Sequence, residues 1–450
     1  MKKMKAYANV GKLRLNMLLR REVITNYPVK TYIEPTLFCN LRCPACPTGL
    51  QLGLRPSATI DVDLFKSAID EMADYLFVLQ MYNWGEPLLH KQTPEMIRYA
   101  RDKGIEQIRL STNLSLNLTD EYIERLVRSG LTELIISLDG TSSETYSKYR
   151  VRGEFDLVRT NMKRIQETKI RLGMTTPEVV WQFLVFKHNE HQIGQAQAEY
   201  REWGADRLDL FGAEMPKPEY AEGFEPSTLP AYSQYHPDHP QQLEMKRYKK
   251  SGKPCSWLYG VLVLNPNGKV SSCCSVVNQG DDFAEYSRSD GFFKAWNSKR
   301  FQQARGLFTN RKSVPAVKDP NQIASQSSKI GGVDGNPSGR RRTVNLPVFS
   351  APQSTMTASE DALICETCPI PYRMNEASEV IKSTAFALLR SFHEESSVWK
   401  KGRVLFAYFL MGMPAWNRWI RNSLSFRTRK LRIAARTFAH GTFKGTSRVR

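Results

Sequence analysis

Three cysteines, Cys39, Cys43 and Cys46, share the run Cys-Asn-Leu-Arg-Cys-Pro-Ala-Cys, directly after the apolar stretch Thr31-Tyr-Ile-Glu-Pro-Thr-Leu-Phe. That places three soft thiolate ligands on one tight loop at the exit of an expected first strand, with Pro44 and Pro47 restricting how the loop bends. A structural zinc site asks for four protein ligands, and the nearest later histidine, His90, follows a strand of a different unit. An iron–sulfur cube held by three thiolates instead leaves one iron open to an outside ligand, and an open iron is where chemistry occurs. Zinc and unligated structural cysteines are the competing readings of the same spacing.

The elements that must position this loop follow from the hydrophobic patterning. From Tyr32 onward six strands alternate with helices. Tyr75–Tyr82 reads as a strand, Thr93–Lys103 as a helix stopped by Gly104, and Ile108–Asn113 as a strand with its exit loop. A helix follows, with Thr119 as its N-cap and Gly130 as its stop. The strand and exit loop at Leu134–Gly140 precede a helix at Phe155–Lys169, a strand at Val179–Phe186, a helix at Glu190–Trp203 and a strand at Ala205–Gly212. The expected fold class is α/β, a partial (β/α)6 TIM-like barrel with its functional groups on the loops at the C-terminal strand ends.

Around this barrel, residues 31–213, the sequence predicts further regions. Residues 1–30 form a basic N-terminal extension with a short helix near Leu13–Arg21, and 214–253 a connector. A small cysteine-rich α+β domain is expected over 254–375, opening with a hairpin turned at Asn267-Gly268 and followed by a helix from Phe292 to Ala304. It contains a mobile insertion at 309–360, and a basic helical tail fills 376–450. No stretch approaches 18 uninterrupted apolar residues, and no export signal develops at the N-terminus, so the expected compartment is the cytoplasm, where thiols stay reduced.

The run Cys39-Asn-Leu-Arg-Cys43-Pro-Ala-Cys46 resembles the signature of radical S-adenosylmethionine (radical SAM) enzymes. The resemblance implies a 4Fe–4S cluster on Cys39, Cys43 and Cys46 whose open iron is chelated by S-adenosyl-L-methionine. It implies reductive cleavage of that molecule to a radical that abstracts a substrate hydrogen, with flavodoxin or ferredoxin as reductant. Asn83-Trp-Gly-Glu-Pro87 looks like the family's Gly-Gly-Glu-Pro segment with Trp84 in place of the first glycine. By the same resemblance Glu86, Asn113, Ser137 and Arg152 are the expected cofactor-binding residues, each with a turn, cap or surface role as its plain alternative. Tyr82 and Gln182 are candidates to line a substrate cavity, and His188 is more simply a surface residue.

Cys255, Gly268-x4-Cys273 and Cys365-x2-Cys368 resemble a shortened SPASM/twitch-like auxiliary-cluster module. This implies a second 4Fe–4S cluster on Cys255, Cys273, Cys365 and Cys368, with zinc or no metal as alternatives. Cys273 is preferred to Cys274 for its spacing from the glycine.

The net charge of +19 is uneven, because residues 401–450 hold twelve Lys or Arg and no Asp or Glu, leaving +7 for the first 400 residues. The tail therefore suits an anionic membrane surface or RNA, or packs back on the body. The leading expectation is a radical enzyme modifying or oxidising a small-molecule or peptide substrate, such as a peptide, sugar or natural-product precursor. A radical RNA-modifying enzyme and a non-catalytic iron–sulfur scaffold are the other classes.

Overall fold

The computed structural model describes residues 2–213, 224–233 and 254–309. The chain begins with helix α1 (Lys2–Leu18) and enters a succession of β1 (Lys30–Ile33), α2 (Val62–Met72), β2 (Val78–Gln80), α3 (Thr93–Asp102), β3 (Gln107–Thr112), α4 (Asp120–Arg128), β4 (Glu133–Ser137), α5 (Ser143–Tyr149), α6 (Phe155–Arg171), β5 (Glu178–Val185), α7 (Ile193–Glu199) and β6 (Arg207–Gly212). These six strands pair in parallel with their sequence neighbours, Tyr32 beside Gln80, Ser111 beside Ile135 and Ser137 beside Gln182. The expected α/β partial barrel is what the chain forms.

Helix α4 shows why the local sequence folds as it does. Thr119 accepts the Tyr122 N–H at its N-terminus, Tyr122, Ile123, Leu126 and Val127 face the core, and Gly130 leaves the helix at φ 87°. Alternation does the same for the strands. On β4, Leu134 and Ile136 are fully buried against the helices while Glu133, Ile135 and Ser137 point the other way and are only partly covered. Trp181 on β5 donates its indole N–H to the Leu138 carbonyl at 2.6 Å and stacks on Trp203 at 4.7 Å.

Two expectations are corrected. The N-terminal helix begins at Lys2 rather than near Leu13, because Ala6, Asn9, Val10, Leu13 and Asn16 recur at helical spacing and are all buried. The hairpin after the connector also belongs to the barrel sheet. Helix α8 (Trp257–Gly260) leads into β7 (Val261–Leu264), which runs parallel to β1 with Lys30 beside Val261 and Ile33 beside Leu264. β8 (Lys269–Ser271) and β9 (Ala284–Glu285) follow antiparallel, giving one nine-stranded sheet in the order β6-β5-β4-β3-β2-β1-β7-β8-β9. The turn between β7 and β8 is the expected one, with Gly268 at φ 80°. The helical stretch after it is broken at Asn297-Ser298 into α9 (Phe292–Trp296) and α10 (Lys299–Gly306). The expected insertion at 309–360, all but its first residue, and the tail at 376–450 lie outside the described residues.

Arg305 on α10 is fully buried between the rings of Tyr259, Trp296 and Phe301. Its guanidinium donates to the carbonyls of Leu258, Glu22 and Trp296, tying the N-terminal segment to both ends of the hairpin region.

Candidate active site

The cysteine loop sits where β1 delivers it, and each residue of its Asn-Leu-Arg filling is used. Asn40 donates to the Ser115 carbonyl at 2.8 Å and accepts from Asn113 at 2.9 Å. Leu41 is buried, and Arg42 turns its guanidinium back onto the carbonyls of Cys39 and Leu41. Gly49 closes the loop, since a Cβ there would stand 2.4 Å from the Cys43 carbonyl oxygen. Cys43 is buried and Cys39 and Cys46 are half-buried, packed with Tyr149, Phe186 and Phe224 in a small apolar cluster apart from the main core.

Burial pushes the Cys39 thiol up to about 12, with the neighbouring Cys43 and Cys46 adding to the rise, and burial likewise raises Cys43. Three thiolates in such a place need a cation to neutralise them. Among the described residues no three His, Cys, Asp or Glu side chains gather around a common point as a single ion requires. A 4Fe–4S cube, each of whose irons takes one cysteine thiolate besides its bridging sulfides, is satisfied by three soft thiolates with one iron left open, so the donor set fits a cluster better than a four-ligand zinc site.

Two N–H groups approach these sulfurs. Asn113 Nδ2 lies 3.9 Å from Cys39 Sγ, and Arg150 Nη1 lies 3.9 Å from Cys43 Sγ. Asn113 is itself fixed by its backbone N–H on Glu86 Oε2 at 2.7 Å. The other Glu86 oxygen accepts from Thr112 Oγ1 and the Leu88 N–H, and the Glu86 N–H donates to the Phe38 carbonyl. Glu86 thus spends its carboxylate on protein donors and ties the β2 exit to the β3 exit and the cysteine loop. Arg150 is held by Asp139, fully buried, whose Oδ2 accepts Arg150 Nε at 2.6 Å while Oδ1 accepts the Leu184 N–H at 2.7 Å.

A sequence model of the radical SAM superfamily matches residues 33–184. The chain carries a radical SAM domain. An AdoMet-dependent heme synthase of Methanosarcina barkeri is 29% identical over 189 residues, 42% of this chain and 51% of that protein. A PqqA peptide cyclase of Bradyrhizobium diazoefficiens is 28% identical over 187 residues, 41% of this chain and 46% of that protein. The chain spans about half or less of the length of the curated relatives it matches first. The crystal structure of Streptococcus suis SuiB bound to S-adenosylmethionine aligns with a TM-score of 0.50 at 14% identity, covering 68% of this chain and 72% of that one, a likeness of fold.

Within the radical SAM domain the structure brings Asn113 to the cysteine loop and sets Ser137 at the end of β4, on the sheet face away from the helices, opposite Gln182. It does not bring Arg152 there. Arg152 is exposed in the turn after α5 at φ 70°, and the guanidinium that reaches the cysteines belongs to Arg150, two residues earlier. Tyr82 packs edge-on against Tyr32 at 5.9 Å, and His188 is wedged beside Phe186 and Phe224. In the Trp84-Gly85 pair, it is Gly85 that has no room for a side chain, because its Cβ would fall 1.9 Å from the Thr36 carbonyl oxygen.

Glu34 is a further residue of the radical SAM domain's rim that sequence reasoning missed, although an acid ending an apolar strand just before the cysteines was the available signal. It is 1% exposed. Its Oε1 accepts the N–H groups of Trp84 at 2.5 Å and Gly85 at 2.6 Å, while Oε2 has no hydrogen-bond partner. Burial lifts this carboxyl from 4.5 to about 7, against the lowering effect of the two N–H groups. The unfolded chain therefore releases this proton at lower pH than the folded one. Stability contributed by the protonated form is present below pH 4.5 and is lost as pH rises toward about 7. Thermal midpoints of the wild type should fall across that interval, and those of Glu34→Gln should fall less. Parallel curves for the two proteins would contradict the assignment.

Of the second cysteine group, Cys255, Cys273 and Cys274 are half-buried against the main core, and Cys365 and Cys368 lie outside the described residues. Cys255 stands two residues before α8 and Cys273 two residues after β8. Because β7 and β8 are antiparallel, the start of one and the finish of the other lie at one end of the hairpin. That end is level with the beginning of β1, whereas the Cys39 loop follows its finish.

Proposed function

We propose that the chain is a radical SAM enzyme that modifies or oxidises a peptide, sugar or other natural-product precursor, using a 4Fe–4S cluster held by Cys39, Cys43 and Cys46. The carrying observation is the trio of wholly or partly buried thiols on one loop, with a donor N–H at two of the three sulfurs. When bound, such a cluster supplies the electron that cleaves S-adenosylmethionine to methionine and a 5′-deoxyadenosyl radical, which takes a hydrogen atom from the substrate.

The chain's own residues do the rest. Asn113 and Arg150 fix the two sulfurs they approach, and Arg150 adds a positive charge beside Cys43. Glu86 and Glu34 lock the Trp84–Pro87 loop, of which the Glu86 and Pro87 carbonyls already accept from Leu89, His90 and Thr93, leaving those of Trp84 and Gly85 as the ones to serve an amino group. Ser111, Ser137 and Gln182 give the inner face of the sheet polar groups suited to a ribose or a polar substrate. Tyr149, Phe186 and Phe224 keep water from the sulfurs. In this reading a flavodoxin or ferredoxin delivers the electron in a reducing cytoplasm. Cys255 and Cys273, together with Cys365 and Cys368, would hold a second 4Fe–4S cluster that passes electrons to or from the substrate.

Anaerobic reconstitution, followed by dithionite reduction with S-adenosylmethionine, tests the proposal. The wild type should produce 5′-deoxyadenosine, and the variant with Cys39, Cys43 and Cys46 all replaced by alanine should produce none. A wild-type protein that holds its full iron complement and still makes none would rule the enzyme out in favour of a scaffold.

A further inference from the structure

The outward side of α1 carries a ridge of apolar side chains that nothing in the described structure covers. On the helix Leu15 is 48% exposed and Leu18 78%, and just beyond its end Leu19 is 53% and Val23 56% exposed. Contiguous exposed apolar surface of this kind marks an interaction site rather than ordinary surface scatter. The stretch from Lys12 to Val23 also holds four basic residues, of which Lys12 and Arg21 are exposed, against one acid, Glu22. The described chain ends beside it, where Arg20 donates to the Phe308 carbonyl.

We propose that this face of α1 is a docking surface for an anionic lipid bilayer, with the leucine ridge entering the headgroup boundary and Lys12 and Arg21 meeting lipid phosphates. Charge complementarity selects this occupant. A second copy related by a two-fold axis would set basic flanks against basic flanks, and the chain's own tail, with no acid in its last fifty residues, would bring more of the same sign. A convex ridge with both apolar and basic groups suits a lipid interface. An acidic electron-donor protein fits less well because the ridge is at the wrong end. Asn26, which follows it, bonds the Tyr259 carbonyl just before β7 begins, so the ridge lies level with the start of β1, remote from the Cys39 loop.

The test is co-sedimentation of the full-length protein with vesicles of phosphatidylcholine alone and of phosphatidylcholine mixed with phosphatidylglycerol. The wild type should pellet with the mixed vesicles, less so at high salt, and stay in solution with phosphatidylcholine alone. The combined variant Leu15→Ser, Leu18→Ser and Leu19→Ser, at exposed positions that leave the core intact, should bind the mixed vesicles at least about tenfold more weakly, since three buried side chains are lost from the interface. A triple variant that pellets like the wild type means that the tail alone binds lipid and overturns the proposal. So does a wild type that ignores both vesicles, or one that runs as a dimer that the triple variant breaks while vesicle binding is unchanged.

Discussion

Replacing Arg150 by methionine should lower stability by about 3–5 kcal/mol, the usual cost of stranding one member of a buried ion pair. In a barrel of this size that is a fall of about 10 °C in the unfolding midpoint. The reason is Asp139, which has no exposed side-chain surface and whose Oδ2 has Arg150 as its cationic partner at 2.6 Å. Burial already pushes that carboxyl upward, so without the guanidinium it must either stay charged in an apolar site or take up a proton. The double variant Arg150→Met with Asp139→Asn keeps an acceptor for the Leu184 N–H and removes the stranded charge, and should recover about half of the loss by a double-mutant cycle. A single variant that melts within about 1 kcal/mol of the wild type would mean that water already serves the pair.

Gly85→Ala should be nearly as damaging, for a steric rather than electrostatic reason. The added methyl would stand 1.9 Å from the Thr36 carbonyl oxygen and 2.9 Å from the Leu37 Cα, both backbone atoms of the segment that leads into Cys39. Backbone cannot rotate away as a side chain can, so either the Trp84–Pro87 loop or the approach to the cysteines must move. The cost should be on the order of 3 kcal/mol, at the upper end for overpacking. S-adenosylmethionine affinity, measured by calorimetry on reconstituted protein, should weaken by more than about tenfold, because a misplacement of about 1 Å is enough to undo a preorganised site. Gly53→Ala is the control. Gly53 has φ 65° but nothing within 4 Å of its would-be Cβ, so it should cost only about 1 kcal/mol and leave ligand binding intact.

What the sequence disclosed and what it hid divide along a physical line. The Thr119 cap, the Gly130 stop, the Asn267-Gly268 turn and the Cys39 loop are all decided by residues within a few positions of one another, and all are where the sequence implied. The resemblance pointed to Arg152, whereas the guanidinium beside the cysteines is that of Arg150, and the difference depends on α5. Its segment Ser143–Tyr149 is seven residues rich in Ser, Thr and Tyr, with weak helical preference. With α5 in place, Arg150 is its C-terminal cap residue and reaches Asp139, while Arg152, two residues on, faces solvent. The pairing of β7 with β1 is not written in either strand, since both are four-residue, fully buried segments that would suit many neighbours. Glu34 was passed over for a related reason. Its value lies in the N–H groups of Trp84 and Gly85, fifty residues away, and no local pattern announces them.

That β1 lies between β2 and β7 has a bearing on the order of assembly. The strand that delivers Cys39 is made early by the ribosome, yet one of its two edges stays bare until Val261–Leu264 have emerged, some 230 residues later. Contacts of such long sequence separation form late. The loop therefore reaches its final shape only after most of the polypeptide has been synthesised, and a nascent or C-terminally clipped chain lacking β7 would expose its cysteines to oxygen before they could be loaded.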